Sequence, residues 1–588
     1  MAHATRLLPL FVVIQLFWLA TSSHGHGHGN TRDSSYCHPD QAAALLELKQ
    51  SFIFDYSTTT LPSWQPGTDC CSWEGVGCDD GVSGGGGSVT VLDLGGHGLY
   101  SYGCHTALFN LTSLRYLDLS MNDFGGSRIP ADGFKRLSKL THLNLSYSGF
   151  YGSQHGVLPT PWYGPIHSSL SSLRSLTVVN LKLNGGISGA VPEFFTYFLN
   201  LSVLQLSYNN FSGWFPWKIF QLKNIRVPDV SHNEQLSGHL PEFPSGASLE
   251  TLNLQYTNFS GVRLSSFSNL LSLSELGLEG GSISMELNDL FLNKLNSLQN
   301  LELSFAQFSG ELAPFFSWIS SLKNLTSLQL SDCYSSKIMP PLIGNLTNLT
   351  SLEMTFCGFF GQIPSSIGNL NKLTSLRISD CAFSGTIPSS IGNLKKLRRL
   401  EISYSELSGP LTTDFGHLNN LTVLVLTGCR FSGRIPSTIV NLTQLIYLDL
   451  SQNDLRGRIP PQIGEMRQLE SLDLSWNKLS GEIPQELTNL TFLSTLNLSG
   501  NRLDGRIPQS RQFATFEYTS YEGNPGLCGP PLSKPCGNSS NLNEAQVSIS
   551  KDHVDVILFL FAGVGFGVGF AAGILLKWGK IGKWFRIV

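Results

Sequence analysis

The sequence predicts an α/β solenoid, a curved stack of similar coils that carries a parallel β-sheet on its concave face. Two observations support this fold class. The stretch LTSLRISDCAFSGTIPSSIGNL at residues 373–394 recurs 24 residues earlier as LTSLEMTFCGFFGQIPSSIGNL and 24 residues later as LRRLEISYSELSGPLTTDFGHL. Each copy also contains L-x-L or a close variant, the pattern of a short strand with one buried face, because successive strand side chains point to opposite sides.

Repeats of about 20 to 30 residues with the pattern L-x-x-L-x-L-x-x-N/C-x-L are the signature of leucine-rich repeats. Counting the fourth position of the pattern gives about seventeen coils within residues 89–513. These positions are Leu92, Leu117, Leu143, Val179, Leu204, Pro228, Leu252, Leu276, Leu301, Leu328, Leu352, Leu376, Leu400, Leu424, Leu448, Leu472 and Leu496. One coil cannot bury its own leucines, so the coils are expected to stabilise one another. An irregular insertion is expected near residues 150–169.

Residues 1–23 are predicted to be a secretory signal peptide. Arg6 precedes the apolar run LLPLFVVIQLFWLA, and small residues follow it, which is the order of a signal and its cleavage site. The run is about fourteen residues long, too short to cross a bilayer as a helix. We therefore expect the mature chain to be exported.

A second apolar run, VILFLFAGVGFGVGFAAGILL at residues 556–576, has no charge and would reach about 30 Å as a helix. It is predicted to cross the lipid bilayer once, between a juxtamembrane segment at 538–555 and a basic tail at 577–588. The positive-inside rule places that tail in the cytosol and the N-terminus outside. The tail is too short for an enzyme domain. Gly565, Gly569 and Gly573 form a small-residue stripe that favours pairing with another membrane helix.

Both ends of the array need caps, predicted at residues 24–88 and 514–537. Four cysteines bracket a helix in the first cap, and in an exported chain they indicate two disulfides. Because Cys70 and Cys71 are adjacent in sequence and poorly placed to bond each other, the preferred pairing is Cys37 with Cys70 and Cys71 with Cys78. Cys528 and Cys536 are predicted to close the second cap. Cys104 has no assigned partner.

One position in each coil, three residues after the second strand leucine, is expected to turn inward and satisfy backbone groups of adjacent coils. We call it the ladder position. It is Asn122, Asn184, Asn209, Asn233, Asn453, Asn477 or Asn501 in some coils, and Cys333, Cys357, Cys381, Cys429, Ser148, Thr257 or Ser405 in others. A small buried thiol is a tolerated substitute for the amide, so these cysteines are interpreted as packing residues and not as metal ligands.

The composition argues against several functions. Charged residues make up 14% of the chain and the net charge is −4, which predicts neither nucleic acid nor another polyanion as a partner. The zinc motif H-E-x-x-H does not occur, and the scattered Ser, His and Asp residues of a repeat array form no catalytic triad, so no catalytic residue, metal site or cofactor is predicted and the chain is not expected to be an enzyme.

Three groups of motifs carry a resemblance to a known family. They are LLELKQSF with LPSW and DCCSWEGVGC near the start, the repeated LSGEIP and FSGTIPSSIGNL, and GRIPQSRQFATF with SYEGNPGLCGPPL near the end. Together they resemble plant leucine-rich-repeat receptor-like proteins, which lack a kinase domain. The resemblance covers nearly the whole chain from Cys37 onward, except that the non-repeat island many members carry before the last four coils is absent.

The resemblance implies a plant-specific S-G-x-I-P solenoid with disulfide caps and one transmembrane helix. It implies a plasma membrane receptor that recognises a pathogen-derived or other extracellular ligand and signals through adaptor and co-receptor receptor-like kinases in defence. The ligand could be a peptide, a protein or a glycan. The alternatives are a developmental co-receptor subunit and an inhibitor-like module against cell-wall-degrading enzymes. Ligand-dependent recruitment of a kinase would distinguish the ligand-binding receptor from both alternatives.

The residue just before each ladder position is expected at the edge of the inner face. Aromatic side chains with polar tips recur there, and such side chains favour peptide and protein recognition, although packing between strands would also explain them. The candidate ligand-binding residues are Tyr208, His232, Tyr256, Phe305, Phe356, Asp380 and Tyr404. The resemblance also implies that the last four coils face a co-receptor, with Gln452 and Trp476 as candidate contacts.

Asn-x-Ser/Thr sequons predict N-glycosylation of an exported chain. The acceptors are Asn110, Asn144, Asn200, Asn210, Asn258, Asn324, Asn345, Asn348, Asn420, Asn441, Asn489, Asn497 and Asn538.

Overall fold

The computed structural model describes residues 37–53, 61–79, 87–130, 133–147, 162–259, 267, 269–279, 295–304, 312–333, 337–411, 413–510 and 512–536. The predicted signal peptide, juxtamembrane segment, membrane span and basic tail lie outside these ranges, as do Ser148, Phe305, Asn538 and the small-residue stripe. Within the ranges, no helix combines the length and the apolar character needed to cross a membrane. Apart from Pro535 and Cys536, every described residue belongs to one unit that ends at Lys534.

Seventeen parallel strands, one from each coil, form the inner sheet, and the antiparallel strand Val76–Cys78 pairs with the first of them. The parallel strands are Val89–Asp93, Tyr116–Asp118, His142–Asn144, Val178–Asn180, Val203–Gln205, Val227–Asp229, Thr251–Asn253, Glu275–Glu279, Asn300–Ser304, Ser327–Ser331, Ser351–Thr355, Ser375–Ser379, Arg399–Ser403, Val423–Thr427, Tyr447–Asp449, Ser471–Asp473 and Thr495–Asn497. The register places Leu352 opposite Leu376 and Leu376 opposite Leu400, as the repeat predicts. The predicted parallel solenoid is therefore confirmed.

The core is a continuous column of apolar side chains along the inside of the coils. Leu376 and Ile378 of one strand are 1% and 0% exposed, whereas Arg377 between them is 33% exposed on the other face. Each leucine packs against the equivalent residues of the coils on either side, which is why the array and not the single coil is the stable unit.

A second set of strands runs along the flank of the array, and in most coils it begins at the ladder position or within a few residues after it. One group is Tyr163–Gly164, Gly186–Gly189, Asn210–Trp214, Asn233–Gly238 and Thr257–Phe259. The other group is Phe360–Gly361, Ala382–Gly385, Glu406–Pro410, Arg430–Gly433, Asp454–Gly457, Lys478–Glu482, Arg502–Arg506 and Gly526–Cys528. Residues 162–169 of the predicted irregular insertion supply a flank strand and the start of a helical turn, so this part of it follows the ordinary coil pattern.

Short helical turns return the chain to the next inner strand. The 3-10 helices are Cys70–Ser72, Thr106–Asn110, Phe134–Arg136, Ser168–Ser172, Glu193–Tyr197, Trp217–Gln221, Pro341–Asn345, Ser365–Asn369, Ser389–Asn393, Thr413–His417, Ser437–Asn441, Pro461–Glu465, Gln485–Asn489, Phe513–Thr515 and Tyr518–Ser520. In one coil an α-helix, Leu312–Ser321, takes this role. The repeat did not predict this helix, although its coil is longer than 24 residues, with 27 separating Leu301 from Leu328.

The ladder position behaves as predicted. Asn453 donates its side-chain amide to the carbonyls of Leu426, Leu450 and Ser451, and its Oδ1 accepts a bond from the Phe431 N–H. Cys357 donates its thiol to the Leu330 and Thr355 carbonyls at 3.3 and 3.5 Å. The cysteine thiol thus donates hydrogen bonds in place of the side-chain NH2 group of asparagine.

Cys333, Cys357 and Cys381 occupy the ladder position of three successive coils, and their thiols interact. Contact with the Cys333 thiol, together with burial, raises the pKa of Cys357, and contact with Cys357 together with burial raises the pKa of Cys381. The protonated thiols are poor nucleophiles and poor metal ligands, because thiolate is the reactive form.

The N-terminal cap contains the preferred disulfides, Cys37 with Cys70 and Cys71 with Cys78. Its α-helix, Pro39–Gln50, is tied to the first inner strand by Gln41, whose Oε1 accepts a 2.6 Å bond from the Val89 N–H. Near the other end Cys528 and Cys536 are both disulfide-bonded. Cys104 is a free thiol, and burial raises its pKa to about 12.

Candidate functional site

The residue before each ladder position has a left-handed backbone conformation. We call this column of residues the lip. Among the described residues, twelve non-glycine lip residues have φ between 49° and 59°: Met121, Tyr147, Leu183, Tyr208, His232, Tyr256, Asp332, Phe356, Asp380, Tyr404, Gln452 and Trp476. Left-handed conformation costs a non-glycine residue about 1–2 kcal/mol. The neighbouring coil enforces it, since the lip N–H donates to a carbonyl of the next coil, as Phe356 does to Ser379 and Tyr404 does to Thr427, both at 3.0 Å.

The lip conformation keeps large side chains at the surface. The exposed fractions are 42% for Tyr208, 37% for Tyr256, 58% for Phe356, 52% for Tyr404 and 66% for Trp476. Residues held in costly backbone conformations, with apolar rings left in solvent, are often part of a binding site.

Three of the predicted ligand-binding residues form one stacked unit. The His232 ring lies between Tyr208 and Tyr256, with ring centroids 3.8 Å and 4.3 Å apart and planes inclined by 14° and 22°. The stack joins three successive coils into a continuous aromatic surface. The sequence places these residues at equivalent positions, and the structure adds that they touch.

Phe356, Asp380 and Tyr404 follow at consecutive lip positions further along the array. Asp380 accepts a 2.7 Å bond from the Ser379 hydroxyl, and its lip position comes between those of the two exposed rings. Asp332, one coil before Phe356, has its carboxyl pKa raised by burial. Phe305, the remaining predicted member, lies outside the described residues.

Two glycines on the lip make room for the aromatic ring of the preceding coil. A Cβ on Gly428 would lie 2.5 Å from Cδ1 of Tyr404, and one on Gly500 would lie 3.0 Å from Cδ2 of Trp476. Each ring therefore lies along the lip, over the next coil. Gln452, the other candidate co-receptor contact, is exposed between these two pairs. An open cleft of about 490 Å³ lies beside Tyr404, with Glu406, Arg430 and Gln452 among its lining residues.

The charged side chains of the adjoining inner face are paired with one another. Arg377 lies between Glu353 and Glu401, at 3.5 Å and 3.1 Å, and Arg399 contacts Glu401 at 3.0 Å. The group contains two positive and two negative charges on three neighbouring strands. The pairing of Arg377 with Glu353 and Glu401 was not predicted from the sequence. The 24-residue spacing was the available signal, because residues one period apart are neighbours.

Most predicted glycosylation sites are exposed on the flank and on the helical turns. The exposed acceptors are Asn110, Asn200, Asn210, Asn258, Asn324, Asn345, Asn420, Asn441 and Asn489, while Asn348 is half-buried. Two others lie on the inner face and are hydrogen-bonded there. Asn144 donates to Asp118 at 2.7 Å and Asn497 donates to Asp473 at 3.1 Å. A sugar on either would stand on the inner sheet.

The repeat array and its N-terminal cap both match known protein families. A model of the leucine-rich repeat region matches residues 317–426 and 389–510, and a model of the leucine-rich-repeat N-terminal domain matches residues 38–79. The residues matched by these two models carry the sequence patterns of leucine-rich-repeat proteins. Receptor-like protein 6 of Arabidopsis thaliana is 33% identical over 286 residues, which cover 42% of this chain and 28% of the relative. Receptor-like protein Cf-9 of Solanum pimpinellifolium is 32% identical over 274 residues, covering 40% and 31%.

These matches confirm the resemblance to plant leucine-rich-repeat receptor-like proteins, and they span less than a third of each relative's length. Among solved structures, the ectodomain of the Arabidopsis thaliana membrane receptor kinase GASSHO1/SCHENGEN3, in complex with CASPARIAN STRIP INTEGRITY FACTOR 2, aligns with a TM-score of 0.50 and 25% identity. The alignment covers 74% of this chain and 55% of that ectodomain.

Proposed function

We propose that this leucine-rich-repeat chain is a cell-surface receptor-like protein that recognises an extracellular peptide or protein ligand at the lip and signals through partner receptor-like kinases in defence. The observation that carries the proposal is the column of exposed aromatic rings held at the surface by left-handed backbone from Tyr208 to Trp476. Rigid aromatic side chains supply large contact area at low entropic cost, and they dominate the binding energy of many interfaces.

The paired charges on the inner face shape this recognition. Glu353, Arg377 and Glu401 already satisfy one another, so a ligand charge that contacted one of them would have to compete with its present partner. The aromatic rings of the lip are bound mainly through apolar contact, which requires no exchange of one ionic partner for another. We therefore assign specificity to the run of Phe356, Asp380 and Tyr404, in which the acidic lip position lies between two lip positions with exposed rings.

Similarity to receptor-like proteins and to a receptor kinase ectodomain solved in complex with CASPARIAN STRIP INTEGRITY FACTOR 2 supports a role in extracellular recognition. Recruitment of a kinase would couple that recognition to the cell interior. The predicted small-residue stripe at Gly565, Gly569 and Gly573 would pair with the membrane helix of the adaptor, and Gln452 and Trp476 would contact the co-receptor.

The test uses the full chain expressed in leaf cells and treated with a pathogen culture filtrate. Receptor-like kinases that co-purify with the chain are quantified before and after treatment. The variant F356A/D380A/Y404A should lose the treatment-dependent increase while its surface abundance stays unchanged. The control E193A/Y197A/F492A removes two exposed rings and a carboxylate away from the lip, and it should behave as the unmodified chain.

An unchanged increase in the lip variant would disprove recognition at these residues. Kinase association that is constant with and without the filtrate would instead favour the developmental co-receptor subunit. Inhibition of a cell-wall-degrading enzyme in the filtrate, with no kinase recruited, would favour the inhibitor-like module.

A further inference from the structure

The flank strands of the last four regular coils carry a concentrated positive charge. We call this surface the basic strip. It consists of the outward charged residues Arg430, Arg434, Asp454, Arg456, Arg458, Lys478, Glu482, Arg502, Asp504 and Arg506. Seven basic and three acidic side chains give it a net charge of +4, whereas the whole chain has a net charge of −4. The three preceding flank strands, from Phe360 to Pro410, contain Glu406 as their one charged residue.

Most of the arginines in the strip have no ionic partner. Lys478 is paired with Asp454, and Arg430 lies 3.7 Å from Glu406. Within the part of the chain that the structure describes, the other five arginines, Arg434, Arg456, Arg458, Arg502 and Arg506, form no ion pair, and all five are exposed. Their charge is available to a partner in solution.

The coil geometry arranges part of this charge in a row. The Arg434 stem crosses Gly457 of the next coil, where a Cβ would lie 3.1 Å from its Cγ, and the Arg458 stem crosses Gly481 at 3.0 Å in the same way. Because parallel strands are about 4.8 Å apart, guanidinium groups in this row recur at multiples of about 5 Å. Arg506 continues the row two coils after Arg458, with Glu482 between them.

The surroundings of the row distinguish between classes of partner. Protein interfaces are usually anchored by aromatic or other apolar side chains at their centre. On these four strands the apolar side chains of Phe431, Leu455, Leu479 and Leu503 are all buried, and the remaining positions hold charged residues, serine and glycine. Arginine forks bind carboxylate, sulfate and phosphate groups through paired hydrogen bonds.

We propose that the basic strip binds a linear polyanion with one carboxylate, sulfate or phosphate group per monomer. The polymer lies along the row of Arg434, Arg458 and Arg506, across successive coils. This site is separate from the lip and does not rest on the proposed receptor function. The proposal differs from the prediction, made from the net charge, that no polyanion binds. A net charge of −4 for the whole chain does not show that positive charges are concentrated on one flank.

The experiment measures binding of the full chain in detergent to three probes at about 50 mM salt: a galacturonic acid decamer, a heparin decasaccharide and linear polyphosphate. We expect at least one probe to bind, with an affinity that falls as salt rises. The variant R434E/R458E/R506E should weaken that binding on the order of 10-fold or more. The probe that binds most tightly identifies the anionic group.

The matched control is K139E/R174E/K223E, which makes the same change in charge at exposed residues outside the strip. It should keep affinity within about twofold of the unmodified chain. Equal losses in the two variants would show a net-charge effect and overturn the site, as would the absence of binding by all three probes. Strip-dependent binding of an acidic globular protein, ovalbumin, with an affinity equal to that of the best polymer would overturn the assignment to a linear polymer.

Discussion

The Tyr404 ring occupies the space above Gly428 of the next coil, so close that a Cβ there would approach its Cδ1 to 2.5 Å. The same relationship joins Trp476 to Gly500 three coils further on. A glycine on the lip thus leaves room for the aromatic ring at the lip position of the preceding coil. Both pairs place an exposed ring in a fixed position at the surface proposed to bind ligand.

Substituting Gly428 by alanine tests this packing. Alanine at a φ of 64° costs about 1–2 kcal/mol by itself, and displacing the Tyr404 ring should add about 1–3 kcal/mol. The control is Gly246→Ala, because Gly246 has a φ of 81° and nothing within 4 Å of the added Cβ. The urea midpoint should fall further for G428A than for G246A. Adding Y404A should recover part of the difference, and a full additive loss in that double variant would contradict the packing.

The ladder cysteines should be chemically inert in the folded chain. Cys333, Cys357, Cys381 and Cys429 are all buried free thiols, and burial together with thiol contacts raises the pKa of Cys357 and Cys381. Iodoacetamide at about pH 7.5 reacts with thiolate, so these four should label only after unfolding. Mass spectrometry of the peptides gives the extent of labelling. Cys104 also has a raised pKa, but it is only partly buried and the four ladder cysteines are buried, so reagent access should let Cys104 label before them. The reverse order would count against the structure.

The sequence is sufficient to predict the coils and the role of the cysteines, but not the details of the surface. Residues one period apart must be neighbours, so the pairing of Leu352 with Leu376 follows from the spacing alone. The left-handed backbone of Phe356 and Tyr404 does not follow from the spacing. Neither residue type favours this conformation, and the hydrogen bond to the next coil enforces it. Likewise the basic strip cannot be seen in a net charge, since it arises only when residues about 24 apart are placed side by side.

Arg377 is expected to stabilise the inner face through two carboxylates. Removing it in R377A leaves Glu353 and Glu401, which are 18% and 11% exposed, without their shared cation. Because the group is partly solvated, we expect a loss of about 1–2 kcal/mol in unfolding free energy, measured by urea denaturation. The control R430A breaks an exposed pair, at 3.7 Å, and should cost under about 0.5 kcal/mol. Equal effects in the two variants would show that the inner network adds nothing to stability.

Asp449 should make the folded chain less stable as pH rises. Burial raises the pKa of this carboxyl, and the nearby Asp473 and Glu401 raise it further. The folded chain therefore holds the proton more tightly than the unfolded chain does, and that stabilisation is lost as pH rises through the folded pKa. The variant D449N stays neutral, and its Oδ1 can still accept the 2.9 Å bond from the Ser451 N–H. We expect a higher urea midpoint than the unmodified chain at pH 7, and no difference below about pH 4.

Asp454 provides the opposite case on the flank of the same coil. The hydrogen bond from Lys478 lowers the pKa of Asp454, so its contribution is present above the unfolded pKa and is lost as pH falls through the folded pKa. D454N should therefore lower the midpoint at pH 7, if only slightly because the pair is exposed. Opposite signs for D449N and D454N at pH 7 are the expected result. A decrease in both would mean that the Asp449 carboxylate is stabilised by the inner face, contrary to the effect of its burial.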